Sequence, residues 1–133
     1  MSELVSTNWL YKNLNNRKLV ILDCSWHMPQ EKRDAKKEYD KMHIKNTYFF
    51  DIDKISDIKT NLPHMLPSQR KFEEKVRSFG INQNSLIVTY DVKGIFSSPR
   101  VWWMFKYFGH KNIFVLNGGL KKWLKEKKTV TNK

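Results

Sequence analysis

The chain has 133 residues, enough for one domain with a hydrophobic core, and its 40% hydrophobic and 14% aromatic content excludes a disordered polypeptide. Its longest apolar run, Val101–Phe105, is far too short to cross a bilayer, and a single cysteine excludes a disulfide framework or a cysteine-based zinc cluster. Twenty lysines and five arginines against 13 acidic residues leave a formal net charge of +12.

In chain order, Ser6 predicts an N-cap for a short helix running to Leu14. Lys18–Cys24 reads as a buried strand, because Leu19 to Leu22 is continuously apolar rather than alternating. After Pro29, a charged helix is expected from about Glu31 to Met42. Thr47–Phe50 is a short strand leading into Asp51-Ile52-Asp53, and Pro63 and Pro67 bracket a loop containing His64. Ser68 predicts the cap of a helix to Phe79, stopped by Gly80. Ser85–Tyr90 is a second buried strand, Asp91–Ser97 a loop, and Ser98-Pro99 the start of a helix to Phe108. That helix is apolar almost all round, so it is expected to be covered on more than one side. Asn112–Leu116 is a further strand, Gly118-Gly119 a tight turn, and Leu120–Lys127 the last helix. Strands alternating with helices predict an α/β domain with a mainly parallel sheet of about five strands, covered on both faces. Sites in such sheets lie beyond the carboxyl ends of the strands. That end holds Cys24–Met28, Asp51–Asp53 and Asp91–Ser97.

The positive charge is mostly lysine, a solvated point charge, rather than the bidentate arginine of nucleic-acid recognition. It is read as a solvated surface that would also attract small anions, with no nucleic acid and no membrane as partner. Met1–Ser6 lacks the basic-then-apolar order of a secretory signal, so a cytoplasmic location is expected. The lone cysteine and four scattered histidines have no metal-ligand spacing, and no cofactor is expected.

Leu22-Asp23-Cys24-Ser25-Trp26, His43-Ile44, Phe49-Phe50-Asp51-Ile52-Asp53 and His64-Met65-Leu66-Pro67 resemble the N-terminal half of tandem rhodanese-type sulfurtransferases. So do Tyr90-Asp91, Ser98-Pro99-Arg100-Val101-Trp102-Trp103-Met104-Phe105, Phe108-Gly109-His110 and Leu116-Asn117-Gly118-Gly119-Leu120. The likeness runs from about Val5 to Lys127. It implies a single rhodanese-like domain over residues 1–133, the first of two. The second, covalently linked domain would carry the catalytic cysteine, and thiosulfate or 3-mercaptopyruvate would be the small anionic donor. Sulfur would pass through a persulfide to cyanide or a thiol. By the same resemblance, Asp53 and His64 form a polar pair lining the junction, and Trp26, Met28 and Phe96 wall the pocket. Read without the resemblance, His64 is a surface histidine, Asp53 a turn cap, and the three apolar residues ordinary packing.

Asp91 stands where a catalytic copy places its cysteine, and a carboxylate cannot carry a sulfane sulfur. The loop that follows has one glycine and looks too apolar for a strong anion nest. Cys24 is expected to pack in the core, His27 to be exposed, and His43 to be structural at a helix end. Arg100 is read as a structural arginine, with Asp91, Asp51 and Asp53 as candidate partners. Three readings stay open: a non-catalytic half of a sulfurtransferase, a binding or regulatory module without chemistry, and a single-domain enzyme using Cys24.

Overall fold

A computed structural model describes residues 3–55 and 66–133; the expected His64 and its neighbour Met65 lie outside the described residues. Five parallel strands, β1 (Leu4–Val5), β2 (Leu19–Asp23), β3 (Thr47–Phe49), β4 (Leu86–Tyr90) and β5 (Ile113–Leu116), form one sheet in the order β1-β5-β4-β2-β3. The central pair is in register from Leu19 opposite Leu86 to Asp23 opposite Tyr90, which brings both strands to an end at one edge of the sheet.

The apolar runs of β2 and β4 are continuous because both faces of the sheet are covered. Successive side chains point to opposite faces, so Leu22 and Ile87 enter one core while Ile21 and Val88 enter the other. The first core is closed by α3 (Ile52–Ile55), α4 (Gln69–Arg77) and α5 (Ser98–Tyr107) through Phe72, Val76, Val101, Met104 and Phe105. The second is closed by α1 (Thr7–Asn13) and α6 (Gly119–Lys125) through Leu10, Leu120 and Trp123. Trp123 is fully buried and spends its indole N–H on the Thr129 carbonyl at 2.9 Å, as a buried tryptophan requires.

Two local expectations are corrected. The charged helix begins later than Glu31, because Pro29–Glu31 forms a separate 3-10 turn and Lys32 adopts a left-handed φ of 52°. The helix α2 (Ala35–Lys41) then starts afresh from Asp34, whose side chain accepts the Lys37 N–H at 3.1 Å. His27 is buried rather than exposed; its Nε2 meets Glu38 Oε1 at 2.9 Å, and Arg33 holds the other carboxylate oxygen at 2.8 Å. Helix α5 is covered on more than one side, as expected: it packs on β4 and β5 and, through Phe105 and Phe108, on Phe72 of α4, leaving open the stripe where Trp103 is 42% and Tyr107 63% exposed. His43 is a structural residue: it is buried, stacked on Tyr39, and its Nδ1 bonds the Tyr39 carbonyl at 2.7 Å.

Candidate functional site

Asp91 follows β4 directly and is 1% exposed. Its Oδ2 accepts the backbone N–H groups of Phe96, Ser97 and Ser98 at 2.9, 3.0 and 2.9 Å, and its Oδ1 accepts that of Lys93 at 3.0 Å. The loop that looked too apolar for an anion nest is therefore one. The nest is built of main-chain amides, which every non-proline side chain leaves available, so side-chain polarity was the wrong guide. Ser97 and Ser98 open helix α5, and Ser97 makes no side-chain cap there. The Asp91 carboxylate takes over that capping, favourably placed against the positive end of the helix dipole.

The cradle is locked from two sides. Ser25 Oγ accepts the Val92 N–H at 3.0 Å, and Ser97 donates its hydroxyl to the Cys24 carbonyl at 2.6 Å, which ties the end of β2 to the loop. From the other side, Leu120 donates its N–H to the Asp91 carbonyl at 3.0 Å. Gly119 lies so close that a Cβ there would sit 2.4 Å from the Asp91 carbonyl oxygen and 2.5 Å from that of Gly94. With φ at +58°, the second glycine of Gly118-Gly119 is needed for close approach as well as for the turn.

Cys24 is fully buried, and its thiol donates toward the Leu22 carbonyl at 3.6 Å. Burial, and then the negative charges of Asp23 and Asp91, push its pKa well above the ordinary thiol value. A thiolate nucleophile requires the opposite environment. Asp23, 1% exposed, is raised to about 6, chiefly by burial and further by Asp91, against the opposing hydrogen bonds from Ser25 and Tyr90.

Of the residues expected to line a pocket, Trp26 and Asp53 are brought together: the Trp26 indole N–H points at the carboxylate oxygens of Asp53 at 3.2 and 3.3 Å. Met28 and Phe96 are linked by two residues that the sequence reading passed over. Glu31 accepts the Met28 N–H at 2.8 Å and the Lys93 ammonium at 2.7 Å, and that ammonium lies 4.4 Å from the Phe96 ring centroid. Their signal was opposite charge in two strand-end loops, visible only once the loops are neighbours. Met28, Ile95 and Phe96 stay 41–48% exposed beside the cradle. Arg100 lies over Trp103 at 5.3 Å. Among the described residues no group of three or more His, Cys, Asp or Glu could hold a metal ion, and no helix is long and apolar enough to cross a membrane. A cleft of about 640 Å³ between α4 and α5, lined by Phe72, Val76, Phe105 and His110, opens at the amino ends of β4 and β5, away from this edge.

In its chemistry the edge of the sheet combines an anion cradle already filled by a carboxylate, a buried inert thiol, and an exposed apolar rim. It can hold a loop and present a surface, and among the described residues its one thiol is buried.

Thiosulfate/3-mercaptopyruvate sulfurtransferase 1, mitochondrial, of Arabidopsis thaliana is 51% identical over 120 residues, covering 90% of this chain and 32% of that protein. Thiosulfate sulfurtransferase of Rattus norvegicus is 43% identical over 135 residues, covering 97% of this chain and 45% of that protein. The crystal structure of SseA from Escherichia coli, described among 3-mercaptopyruvate sulfotransferases, superposes with a TM-score of 0.94 at 33% identity, over all of this chain and 51% of that one. The chain thus spans about a third to a half of the length of these relatives. The family model of the rhodanese-like domain matches residues 6–126, and the chain belongs to the rhodanese family.

Proposed function

We propose that this chain is the non-catalytic first domain of a two-domain sulfurtransferase acting on thiosulfate or 3-mercaptopyruvate. A second, covalently linked rhodanese domain supplies the cysteine. That thiolate attacks the sulfane sulfur of thiosulfate and expels sulfite, leaving a persulfide; cyanide or a thiol then removes the outer sulfur and restores the thiolate. The present domain supplies rigidity and one wall of the junction, with Trp26, Met28 and Phe96 as apolar contacts and Asp53 with His64 as the polar pair.

One observation carries the reading: the amide cradle at the start of α5 is occupied by the Asp91 carboxylate. Four amides and a helix end that would stabilise a thiolate are spent on a group that cannot accept sulfur. The names of the relatives and the share of their length covered support a second domain, and the exposed Met28, Ile95 and Phe96 supply a surface for it.

The test is turnover of thiosulfate and cyanide by the 133-residue chain, by its Cys24→Ser variant, and by the full-length protein. Turnover is expected from the full-length protein alone and is expected to survive Cys24→Ser in that context. Activity of the isolated chain that disappears with Cys24→Ser, or a full-length protein lacking a second strand–cysteine–helix loop, overturns the proposal.

A further inference from the structure

The positive charge is unevenly placed. Residues 3–18 and 118–133, which carry α1, α6 and the segments beside them, hold nine basic side chains and two carboxylates. The remaining residues are far closer to balance, with 16 basic and 11 acidic side chains. Both helices cover the same face of the sheet, and they meet there through Tyr11 and Trp123, whose ring centroids are 6.1 Å apart.

On this face Lys12, Lys121, Lys122 and Lys125 are exposed, while Leu10, Leu120 and Trp123 point inward. Of the two carboxylates, Glu126 is engaged: Thr7 donates its hydroxyl to it, and Lys128 reaches it at 3.2 Å. Those two hydrogen bonds hold its pKa below the ordinary carboxylate value. On the same two helices Tyr11 is 51% and Leu124 37% exposed, and the Lys128 ammonium lies 5.9 Å from the Tyr11 ring centroid. A half-exposed tyrosine beside lysines combines an apolar anchor of the kind interfaces use with a positive surface complementary to carboxylates.

We propose that the α1–α6 face docks an acidic protein surface with an apolar centre. Eight of the nine basic residues are lysines. That composition favours solvated rim contacts with carboxylates over the bidentate contacts that nucleic acids draw from arginine. The α6 helix, Gly119–Lys125, exposes Leu124 as its large apolar side chain, little apolar area to bury in a bilayer interface, where binding scales with that area. This inference is independent of the domain's part in sulfur transfer, since the face is formed by α1 and α6 and not by the rim of Met28, Ile95 and Phe96.

The experiment titrates the chain with a synthetic peptide of alternating glutamate and leucine. Parallel arms use a single-stranded oligonucleotide of equal charge and vesicles containing anionic phospholipid, and binding is followed by amide chemical shifts. The peptide is expected to perturb residues of α1 and α6, with affinity falling as salt shortens the Debye length. The triple variant Lys121→Glu, Lys122→Glu, Lys125→Glu is expected to bind at least tenfold more weakly. Tyr11→Ala is expected to weaken the peptide several-fold, and both variants are expected to keep the amide spectrum of the folded domain outside α1 and α6. Equal or tighter binding of the oligonucleotide or the vesicles, an affinity indifferent to Tyr11→Ala, or perturbation elsewhere on the fold overturns the proposal.

Discussion

Asp91 closes four backbone hydrogen bonds from a position that is 1% exposed. Hydrogen bonds to a buried ion are the strong kind, and their removal leaves amides with no water to replace the acceptor. Asp91→Ala is therefore expected to cost about 3–5 kcal/mol by denaturant unfolding, and Asp91→Asn less, about 1–3 kcal/mol, because one acceptor oxygen survives. Equal, small losses would show that the carboxylate is not the centre of the loop. Asp23 behaves oppositely. Its folded pKa of about 6 lies above the ordinary 3.8, so the native state prefers the protonated form. Its contribution to stability should be greatest below pH 4, fall as the pH rises toward 6, and stay absent above it, and is read from the difference between wild type and Asp23→Asn. The full difference is about 3 kcal/mol, from roughly two units at 1.4 kcal/mol each. Asp23→Asn should flatten that slope and raise stability at pH 8. A wild-type profile as flat as the variant's between pH 4 and 6 would refute the assignment.

At the scale of elements, glycine separates two mechanisms. Gly119→Ala would force a methyl against two carbonyl oxygens as well as a left-handed backbone, whereas at Gly80, with φ +78°, nothing lies within 4 Å of the added carbon. Gly80→Ala is expected to cost about 1–2 kcal/mol from conformation alone. Gly119→Ala should cost at least about 3 kcal/mol, since the clash is with main chain that cannot rotate away. Comparable losses in thermal unfolding would remove the close-approach argument. Elements with a local signature were legible: the buried runs of β2 and β4, and the serine caps of α1 and α4, where Ser6 and Ser68 accept the N–H groups of Trp9 and Lys71. Two were not. The two-residue β1 exists because Leu4 and Val5 lie in register with Val115 and Leu116, and α3 is four residues whose Ile52 and Ile55 reach the core. Neither segment is long enough to show a period.

For the whole molecule, several large apolar side chains along the cradle and α5 are exposed, a surface a partner would cover if they form one contiguous patch. Met28, Ile95, Phe96 and Trp103 are each more than 40% exposed. Sedimentation of the isolated chain should show concentration-dependent self-association, relieved by the double variant Phe96→Ser, Trp103→Ser with little change in the unfolding midpoint. A monomer at all concentrations would show that this surface needs no partner.

Residue order alone determined the parallel α/β architecture and that a carboxylate, not a thiol, stands at position 91 after β4. These follow from local patterns: continuous apolar strands, capped helices, and the chemistry of a single side chain. Only the tertiary structure decided that Asp91 fills a nest of amides, that Trp26 meets Asp53, that Glu31 joins Met28 to Lys93, and that His27 is buried. Each of these contacts joins segments from different loops, or depends on backbone N–H groups whose directions no side chain encodes. They come into being only when the strands align and bring their ends together.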